Sequence, residues 1–342
     1  MKVGYKAFCY LRMGQVQWRE CRNRKLDIMN NRQSTPAPQA DRKMVILGLF
    51  LLLFLSGCGS AGLGQLESIS TQPPQTPAEW LSSQPYTSLT IGRQTIFLMQ
   101  PTSTLFVYAL GLVAMGIGLY AWRRWNRQRA RRWWGVALLF WGVGALLAGT
   151  SYEGLSYHLK CAGWAVCRWT NGWEVAYLLL SAASINAMML AQAYACTNGR
   201  IRRGMLAYGG VNMGLYATAV LLGAFVPVKF LVSFEFLILT AAPSIVGFIL
   251  LNGWRYRQLR LRLDAVLLGT WLSLGMVIGL YFLYYLLGIT SRLWAQGIWF
   301  SENDVLHLGL IAWMVYIGRV VLPQVQDLAD KPASLSSLSK GT

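Results

Sequence analysis

The stretch Trp299-Phe-Ser-Glu-Asn-Asp-Val-Leu-His-Leu-Gly-Leu-Ile-Ala-Trp313 opens with a charged turn and continues as an apolar run. A long apolar run of this kind is typical of a membrane-spanning helix. Asp304 and His307 are three residues apart, so both side chains lie on one face of that helix and can converge on a single ligand. The stretch therefore predicts a membrane helix whose first turns carry candidate functional side chains.

The composition of the whole chain agrees with a membrane protein. Hydrophobic residues make up 55% of the 342 residues, charged residues make up 13%, and there are 15 Trp. A soluble domain of this length is far less apolar. The net charge of +18 would suit nucleic-acid binding, but most arginines stand in short runs between apolar segments, as in membrane proteins. We therefore expect membrane lipids, and no nucleic acid, as partners, while protein partners stay unknown.

Seven apolar segments are each long enough to cross a membrane as a helix. Together they form a predicted membrane domain over residues 100–322, with spans at about 101–122, 134–158, 174–196, 204–226, 230–252, 264–288 and 303–322. Runs of arginine follow the first, third and fifth spans, whereas the alternate connections carry few basic residues. The positive-inside rule therefore predicts an all-α seven-helix bundle with its N-terminus outside and residues 323–342 as a cytosolic tail.

The chain before the bundle has the pattern of an export signal. Residues 1–43 are a basic extension that is disordered or, with translation starting at Met29, untranslated. The apolar run within residues 44–58 is too short to span a membrane and is typical of a secretory signal. The alternative is a cytosolic tail with a short anchor. Residues 59–99, rich in Pro, Ser, Thr and Gln, are typical of an exported tether.

The signal-like run ends in Leu55-Ser-Gly-Cys58. This ending resembles the bacterial lipoprotein box, in which the cysteine is lipidated and becomes the mature N-terminus. The resemblance implies that Cys58 is a lipidation site.

Cys161 and Cys167 both fall in the predicted outer loop after the second span. An exported loop lies in a compartment that permits disulfides, so we expect these two cysteines to be bridged. The alternative is a pair of free thiols at the membrane interface.

Ionisable residues are concentrated at the outer end of the predicted bundle. Both histidines, His158 and His307, and five of the 13 acidic residues are expected there, namely Glu153, Glu174, Glu235, Glu302 and Asp304. An ionisable group inside a membrane is costly unless it is paired, hydrated or bound to an ion. The outer polar layer is therefore the candidate functional site.

A zinc ion would account for part of this layer, because catalytic zinc takes three His or carboxylate ligands and one open position. His158, Asp304 and His307 supply that set. Glu153 or Glu174 would then serve as general base, with Ser156 supporting the site.

Three alternatives to zinc remain open at this point. The same residues can form a structural hydrogen-bond cluster. A haem can be held between His158 and His307, although haem-binding bundles tend to use more histidines. Glu174 and the intramembrane acid Glu235 can relay protons or ions.

The predicted bundle has seven spans, with a serine and a histidine on the second and a histidine on the seventh. In these features it resembles the alkaline ceramidase and progestin/adiponectin receptor superfamily of intramembrane hydrolases. The resemblance implies a zinc held by one histidine of the second span and two of the seventh, and a lipid amide substrate. His158 matches the first ligand and His307 matches one of the pair, while Asn303 stands at the place of the other. Gly154 stands where the family carries a serine. The chain is more similar still to uncharacterised bacterial seven-span membrane proteins with an Asn-Asp-x-x-His entrance.

The sequence thus predicts a metal-dependent hydrolase of lipid amides or esters in a bacterial plasma membrane, with its site on the exported side. The alternative is a sensor or assembly factor without enzymatic activity, in which the outer polar layer is structural.

Overall fold

The computed structural model describes residues 63–328. Within that range, seven helices are long and apolar enough to cross a membrane, which confirms the predicted all-α, multi-pass membrane protein. The predicted lipidation site Cys58, the extension over 1–43, the signal segment over 44–58 and the last part of the tail lie outside the described residues.

Within residues 63–328, the regular elements form one small hairpin and a series of helices. In chain order they are α1 (Pro77–Ser82), β1 (Tyr86–Ile91), β2 (Gln94–Met99), α2 (Pro101–Arg123), α3 (Arg129–Ala148), α4 (Ser156–Lys160), α5 (Gly172–Cys196), α6 (Gly199–Phe225), α7 (Phe234–Leu259), α8 (Arg262–Leu286), α9 (Ile289–Ala295) and α10 (Glu302–Tyr316). Two π-helical turns, Gly149–Gly154 and Ile317–Val321, extend α3 and α10, and two 3-10 turns cover Leu63–Ser68 and Lys229–Val232.

Six of the seven spanning helices in the described chain pack side by side into a closed ring. In the described chain, α2, α3, α5, α7, α8 and α10 pack each on the next, and α10 returns to α2. The remaining span, α6, packs on α5. Large apolar side chains that point away from this packing, such as Leu215, Leu250 and Leu286, are 66% to 77% exposed, as lipid-facing residues of a membrane helix are.

The two ends of the ring differ in chemistry. At the arginine-rich end, α2 stops at Arg123 and α3 starts at Arg129. At the opposite end, which we call the hairpin end, the β1–β2 hairpin packs against α4 and the π turn of α3. The predicted histidines and acidic residues are carried by elements at the hairpin end.

Glycines let α2 and α3 approach closely. A Cβ on Gly142 would stand 2.7 Å from the carbonyl oxygen of Gly111, and one on Gly135 would stand 3.0 Å from that of Gly118. Contacts this short leave no room for a side chain, so the backbones of the two helices are in direct contact. This crossing holds α3, and therefore its π turn, against α2.

Residues 63–99 belong to the segment predicted as a tether, and they fold against the hairpin end. The helix α1 begins with a capping box in which Thr76 and Glu79 exchange hydrogen bonds. The bond from the backbone N–H of Thr76, and then the one from its hydroxyl, keep the pKa of Glu79 below its usual value. The two strands pair antiparallel, with Gly92 and Arg93 as the two-residue turn.

The loop after α4 is closed by a disulfide between Cys161 and Cys167, which confirms the predicted pairing. Both cysteines are fully buried. The loop also bonds to the folded segment before it, because Cys167 N–H donates to Gln75 and Trp169 N–H donates to Ile69. The disulfide loop and residues 63–99 thus form one layer over the hairpin end.

Candidate site at the hairpin end

A carboxylate and an imidazole face each other inside the ring. Glu153 lies on the π turn of α3 and is 4% exposed, and His307 lies in the second turn of α10 and is 9% exposed. The distance from Glu153 Oε1 to His307 Nε2 is 3.9 Å. That distance is longer than a hydrogen bond and leaves the two groups free to share a third polar atom.

Both members of this pair keep hydrogen-bonding capacity. Glu153 Oε2 and His307 Nδ1 are buried and have no hydrogen-bond partner among the described residues. The hydroxyl of Ser156 is likewise buried without a partner in residues 63–328. Buried polar groups in proteins nearly always have a hydrogen-bond partner. Three unpartnered groups on neighbouring elements therefore point to a bound polar ligand or to a reactive role.

The π turn itself explains why Glu153 reaches His307. A π-helical turn inserts an extra residue and changes the direction of the side chains that follow, and it is frequent at functional sites. The helix then breaks at Leu155, where φ is −107° and ψ is 19°. Ser156 and His158 therefore lie on a separate short helix, α4, and do not continue the face that carries Glu153.

His158 is directed to the hairpin. Its Nε2 accepts a hydrogen bond of 2.8 Å from the backbone N–H of Phe97 in β2. The rings of Phe97 and His158 also stack, with centroids 6.0 Å apart and an interplanar angle of 25°. Nε2 of His158 is thus engaged with the backbone.

Asp304 joins α10 to α2. One carboxylate oxygen accepts from Ser301 N–H at 2.5 Å, and the other accepts from the hydroxyl of Ser103 at 3.0 Å. The Ser301 and Ser103 hydroxyls are themselves 3.0 Å apart. Asp304 is fully buried, so this arrangement both caps α10 and fastens its first turn to α2.

Glu174 is held by a buried cation. Lys160 Nζ lies 2.5 Å from Glu174 Oε1, and both side chains are at most 5% exposed. The Ser151 hydroxyl donates to the same oxygen at 2.9 Å, and the Asn171 side chain donates to Ser151 at 2.7 Å. This network ties the π turn, α4 and the start of α5 together.

Glu235, predicted as an intramembrane acid, is exposed in the first turn of α7. The prediction started this span at about residue 230, whereas α7 begins at Phe234. Glu235 therefore lies at the N-terminal end of α7, where a negative charge interacts favourably with the helix dipole.

The predicted zinc ligands do not form one donor set. His158 is bonded to the hairpin and Asp304 to two serines, while His307 faces Glu153. No group of three His, Cys, Asp or Glu residues in the described part of the chain is arranged to hold a metal. As the structure arranges them, these three residues do not fit a single zinc ion.

Several partners in this site were missed by the sequence reasoning. Lys160 is the buried counter-ion of Glu174, a pairing that no spacing in the sequence indicates. Ser301 and Asp304 stand in the Ser-x-x-Asp spacing of a capping box, a signal that was present in the sequence. Ser103 had no such signal, because its pairing with Asp304 depends on how α2 and α10 pack.

A second buried polar cluster, at the arginine-rich end, was also missed. Arg255 Nε lies 2.8 Å from Asp264 Oδ1, and the Arg255 guanidinium also donates to the backbone oxygen of Cys196. Arg255 stands in one of the arginine runs that the positive-inside rule places on the cytosolic side. Its geometry is that of a cap on the last turn of α5.

The fold and the site define a seven-helix membrane protein with a buried acid–base pair near one end of the bundle. Residues 102–324 match the model of a family described as a family of unknown function (DUF6962), and the chain belongs to that family. Comparisons with curated proteins and with solved structures give no match.

Proposed function

We propose that this protein is a membrane-embedded hydrolase that cleaves an amide or ester bond of a lipid, with Glu153 and His307 as its acid–base pair. The observation that supports the proposal is the buried pair itself, 3.9 Å apart. Both members hold a buried polar atom with no hydrogen-bond partner in residues 63–328. Glu174, Asp304 and His158, in contrast, are engaged in bonds that hold elements together.

The pair has the groups that hydrolysis requires. Glu153, as general base, takes a proton from a water molecule, and the water oxygen attacks the carbonyl carbon of the substrate. Glu153 passes this proton to His307, which delivers it to the leaving nitrogen or oxygen as the C–N or C–O bond breaks, so both side chains return to their starting forms. A carboxylic acid and an amine or an alcohol are released. The hydroxyl of Ser156 is available to donate a hydrogen bond to the substrate.

The place of the pair supports a lipid substrate. Glu153 and His307 lie within spanning helices, near the hairpin end. We propose that this end faces the exported side of a bacterial plasma membrane, because the arginine-rich connections lie at the opposite end. The scissile bond of a lipid, near its headgroup, would then be at the depth of the pair.

The test is lipid cleavage by the purified protein in nanodiscs. A panel of fluorescent-acyl lipid amides and esters is supplied, and release of the labelled fatty acid is followed. We expect Glu153→Gln and His307→Asn each to lower the rate by about 10²–10⁴-fold, as loss of a general acid or base does. Glu235→Gln, an exposed acid at the same end, is the matched control and should leave the rate unchanged.

Two results would overturn the proposal. One is absence of cleavage of every lipid amide and ester in the panel by the wild-type protein. The other is retention of the wild-type rate by both Glu153→Gln and His307→Asn, with their thermal unfolding unchanged.

A second candidate is a sensor or assembly factor without enzymatic activity. It is favoured by one specific observation, the structural engagement of Glu174, Asp304 and His158. On this proposal, Glu153→Gln and His307→Asn change thermal stability, and no lipid is turned over. Measuring the unfolding temperature beside the cleavage assay separates the two candidates.

A further inference from the structure

We infer that a cleft between α6 and α7 binds one acyl chain of an anionic phospholipid, and that arginines at the arginine-rich end hold the headgroup of this lipid. The cleft lies in the other half of the bundle from the Glu153–His307 pair. The inference therefore does not rest on the proposed function.

The cleft exists because α6 and α7 are held together near one end only. Both helices pack on α5, and within the described chain they make little contact with each other. Toward the hairpin end, the rings of Tyr216 on α6 and Phe236 on α7 stack with their centroids 5.5 Å apart. Toward the arginine-rich end, the two helices leave a cleft of about 320 Å³ between them. Its lining residues Gly204, Tyr208 and Pro243 are exposed, so the cleft is open at the surface that faces lipid.

The lining of the cleft is apolar. Met205 and Tyr208 of α6 and Gly247 and Leu251 of α7 line its sides, and Met189 of α5 forms its floor. A Cβ added to Gly247 would meet no described atom within 4 Å, so the space in front of this glycine is empty of protein. A concave, mostly apolar space of this volume between helices is typical of a site for an apolar ligand.

The polar groups beside the cleft are already paired with each other. Ser244 on α7 is fully buried, and its hydroxyl donates to the hydroxyl of Tyr208 on α6 at 3.4 Å. Within residues 63–328, no residue that lines the cleft holds a buried side-chain nitrogen or oxygen without a hydrogen-bond partner. The Glu153–His307 site differs in this respect, because its buried polar atoms are unpartnered. The cleft therefore suits a hydrocarbon chain and not a polar ligand.

The position of the cleft along the helices matches the acyl chains of one leaflet. Tyr208 is nine residues after Gly199, where α6 begins, and Gly247 is twelve residues before Leu259, where α7 ends. At the rise of an α-helix these separations are about 14 Å and about 18 Å. Half of the hydrocarbon core of a bilayer is about 15 Å thick. A chain that enters from the arginine-rich end thus reaches the cleft within its own leaflet.

Exposed arginines stand where the headgroup of that lipid would lie. Arg200 and Arg203 lie near the start of α6, and Arg257 lies in the last turn of α7. All three are exposed, and none makes a hydrogen bond or an ion pair within residues 63–328. A guanidinium binds phosphate through a planar pair of N–H donors, and basic residues at the membrane surface attract anionic lipids. The arginines therefore complement an anionic phospholipid whose chain occupies the cleft.

Native mass spectrometry of the purified full chain, released from detergent micelles, tests the site. Phosphatidylglycerol, which is anionic, and phosphatidylcholine, which is zwitterionic, are titrated separately with identical acyl chains. The fraction of protein that carries one lipid gives each Kd. We expect phosphatidylglycerol to bind about tenfold or more tightly, because each nearby arginine favours an anionic headgroup.

One variant tests the cleft. Gly247→Phe places a ring in the empty space and should abolish the adduct with one phosphatidylglycerol. The matched control is Gly275→Phe on α8, where an added Cβ likewise meets no described atom within 4 Å but lies outside the cleft. This control should bind phosphatidylglycerol as the wild type does.

A second pair of variants tests the headgroup contacts without altering the packing of the helices. Arg200→Gln combined with Arg203→Gln should lower phosphatidylglycerol binding to the level of phosphatidylcholine. Arg123→Gln combined with Arg124→Gln removes two exposed arginines at the end of α2 and should leave the preference unchanged.

Three results would overturn the inference. Equal binding of the two lipids by the wild type would remove the anionic headgroup. An unchanged phosphatidylglycerol adduct in Gly247→Phe would remove the cleft as its site. A dimer of the chain that is lost in Gly247→Phe, in place of a lipid adduct, would assign the cleft to a second copy. None of these measurements uses lipid cleavage, so failure of this site and failure of the proposed hydrolase are distinguishable.

Discussion

Lys160 on α4 and Glu174 on α5 form an ion pair of 2.5 Å, and both side chains are almost completely buried. Removing one partner would leave an uncompensated charge inside the protein. We expect Glu174→Gln to lower the free energy of unfolding by about 3–5 kcal/mol. Thermal and denaturant unfolding of the detergent-solubilised protein, followed by circular dichroism, measures this.

The matched control is Glu235→Gln. Glu235 is an exposed acid in the first turn of α7. An exposed charge at a helix end contributes at most about 1 kcal/mol, so this variant should unfold almost as the wild type does. Equal destabilisation by both variants would contradict a specific role for the buried pair.

The contact between α2 and α3 predicts a second stability effect. A Cβ on Gly142 would stand 2.5 Å from Met115 Cγ and 2.7 Å from the Gly111 oxygen. We expect Gly142→Ala to cost about 1–3 kcal/mol, because the helices must separate to admit the methyl group. In Gly116→Ala, the added Cβ meets no described atom within 4 Å, so this variant should be neutral or slightly stabilising. Unfolding temperatures of the two variants give the comparison.

The spanning helices could be predicted because a long apolar segment in a membrane must hydrogen-bond its own backbone, and a helix is one of the few structures that does so. The ends of the helices were predicted less accurately. The second span was predicted to start at Trp134, yet α3 begins at Arg129, since arginines at a membrane boundary can belong to the helix. The separation of His158 from the face that carries Glu153 could not be predicted, because the π turn and the break at Leu155 cannot be read from a hydropathy pattern.

The candidate site was predicted in part. Glu153 and His307 were both named, but the sequence paired His307 with His158 instead. That choice came from residue type, whereas the structure pairs residues by where the helices cross. Asp304 was named as a ligand because it stands close to His307, although the Ser301-x-x-Asp304 spacing already favoured a capping role.

The orientation in the membrane is predicted by the arginine distribution and can be tested with introduced cysteines. Arg93 lies at the exposed tip of the hairpin, and Asn126 lies in the exposed connection at the arginine-rich end. In a background with the free native cysteines replaced by serine, a membrane-impermeant maleimide should label Arg93→Cys in intact cells. Asn126→Cys should be labelled only after lysis. The inverted labelling pattern would contradict the proposed orientation and place the Glu153–His307 pair on the cytosolic side.

The zinc predicted from the sequence is tested by elemental analysis of the purified protein. We expect less than one zinc per chain, because His158 and Asp304 are each bonded to protein groups and point to different neighbours. A haem would show as a visible absorption band, which we likewise do not expect. One zinc per chain in the wild type, lost in both His307→Ala and His158→Ala, would show that the predicted ligands gather around the ion. Zinc lost in His307→Ala and Glu153→Gln but kept in His158→Ala would instead place the metal on the acid–base pair, with Glu153 as a ligand.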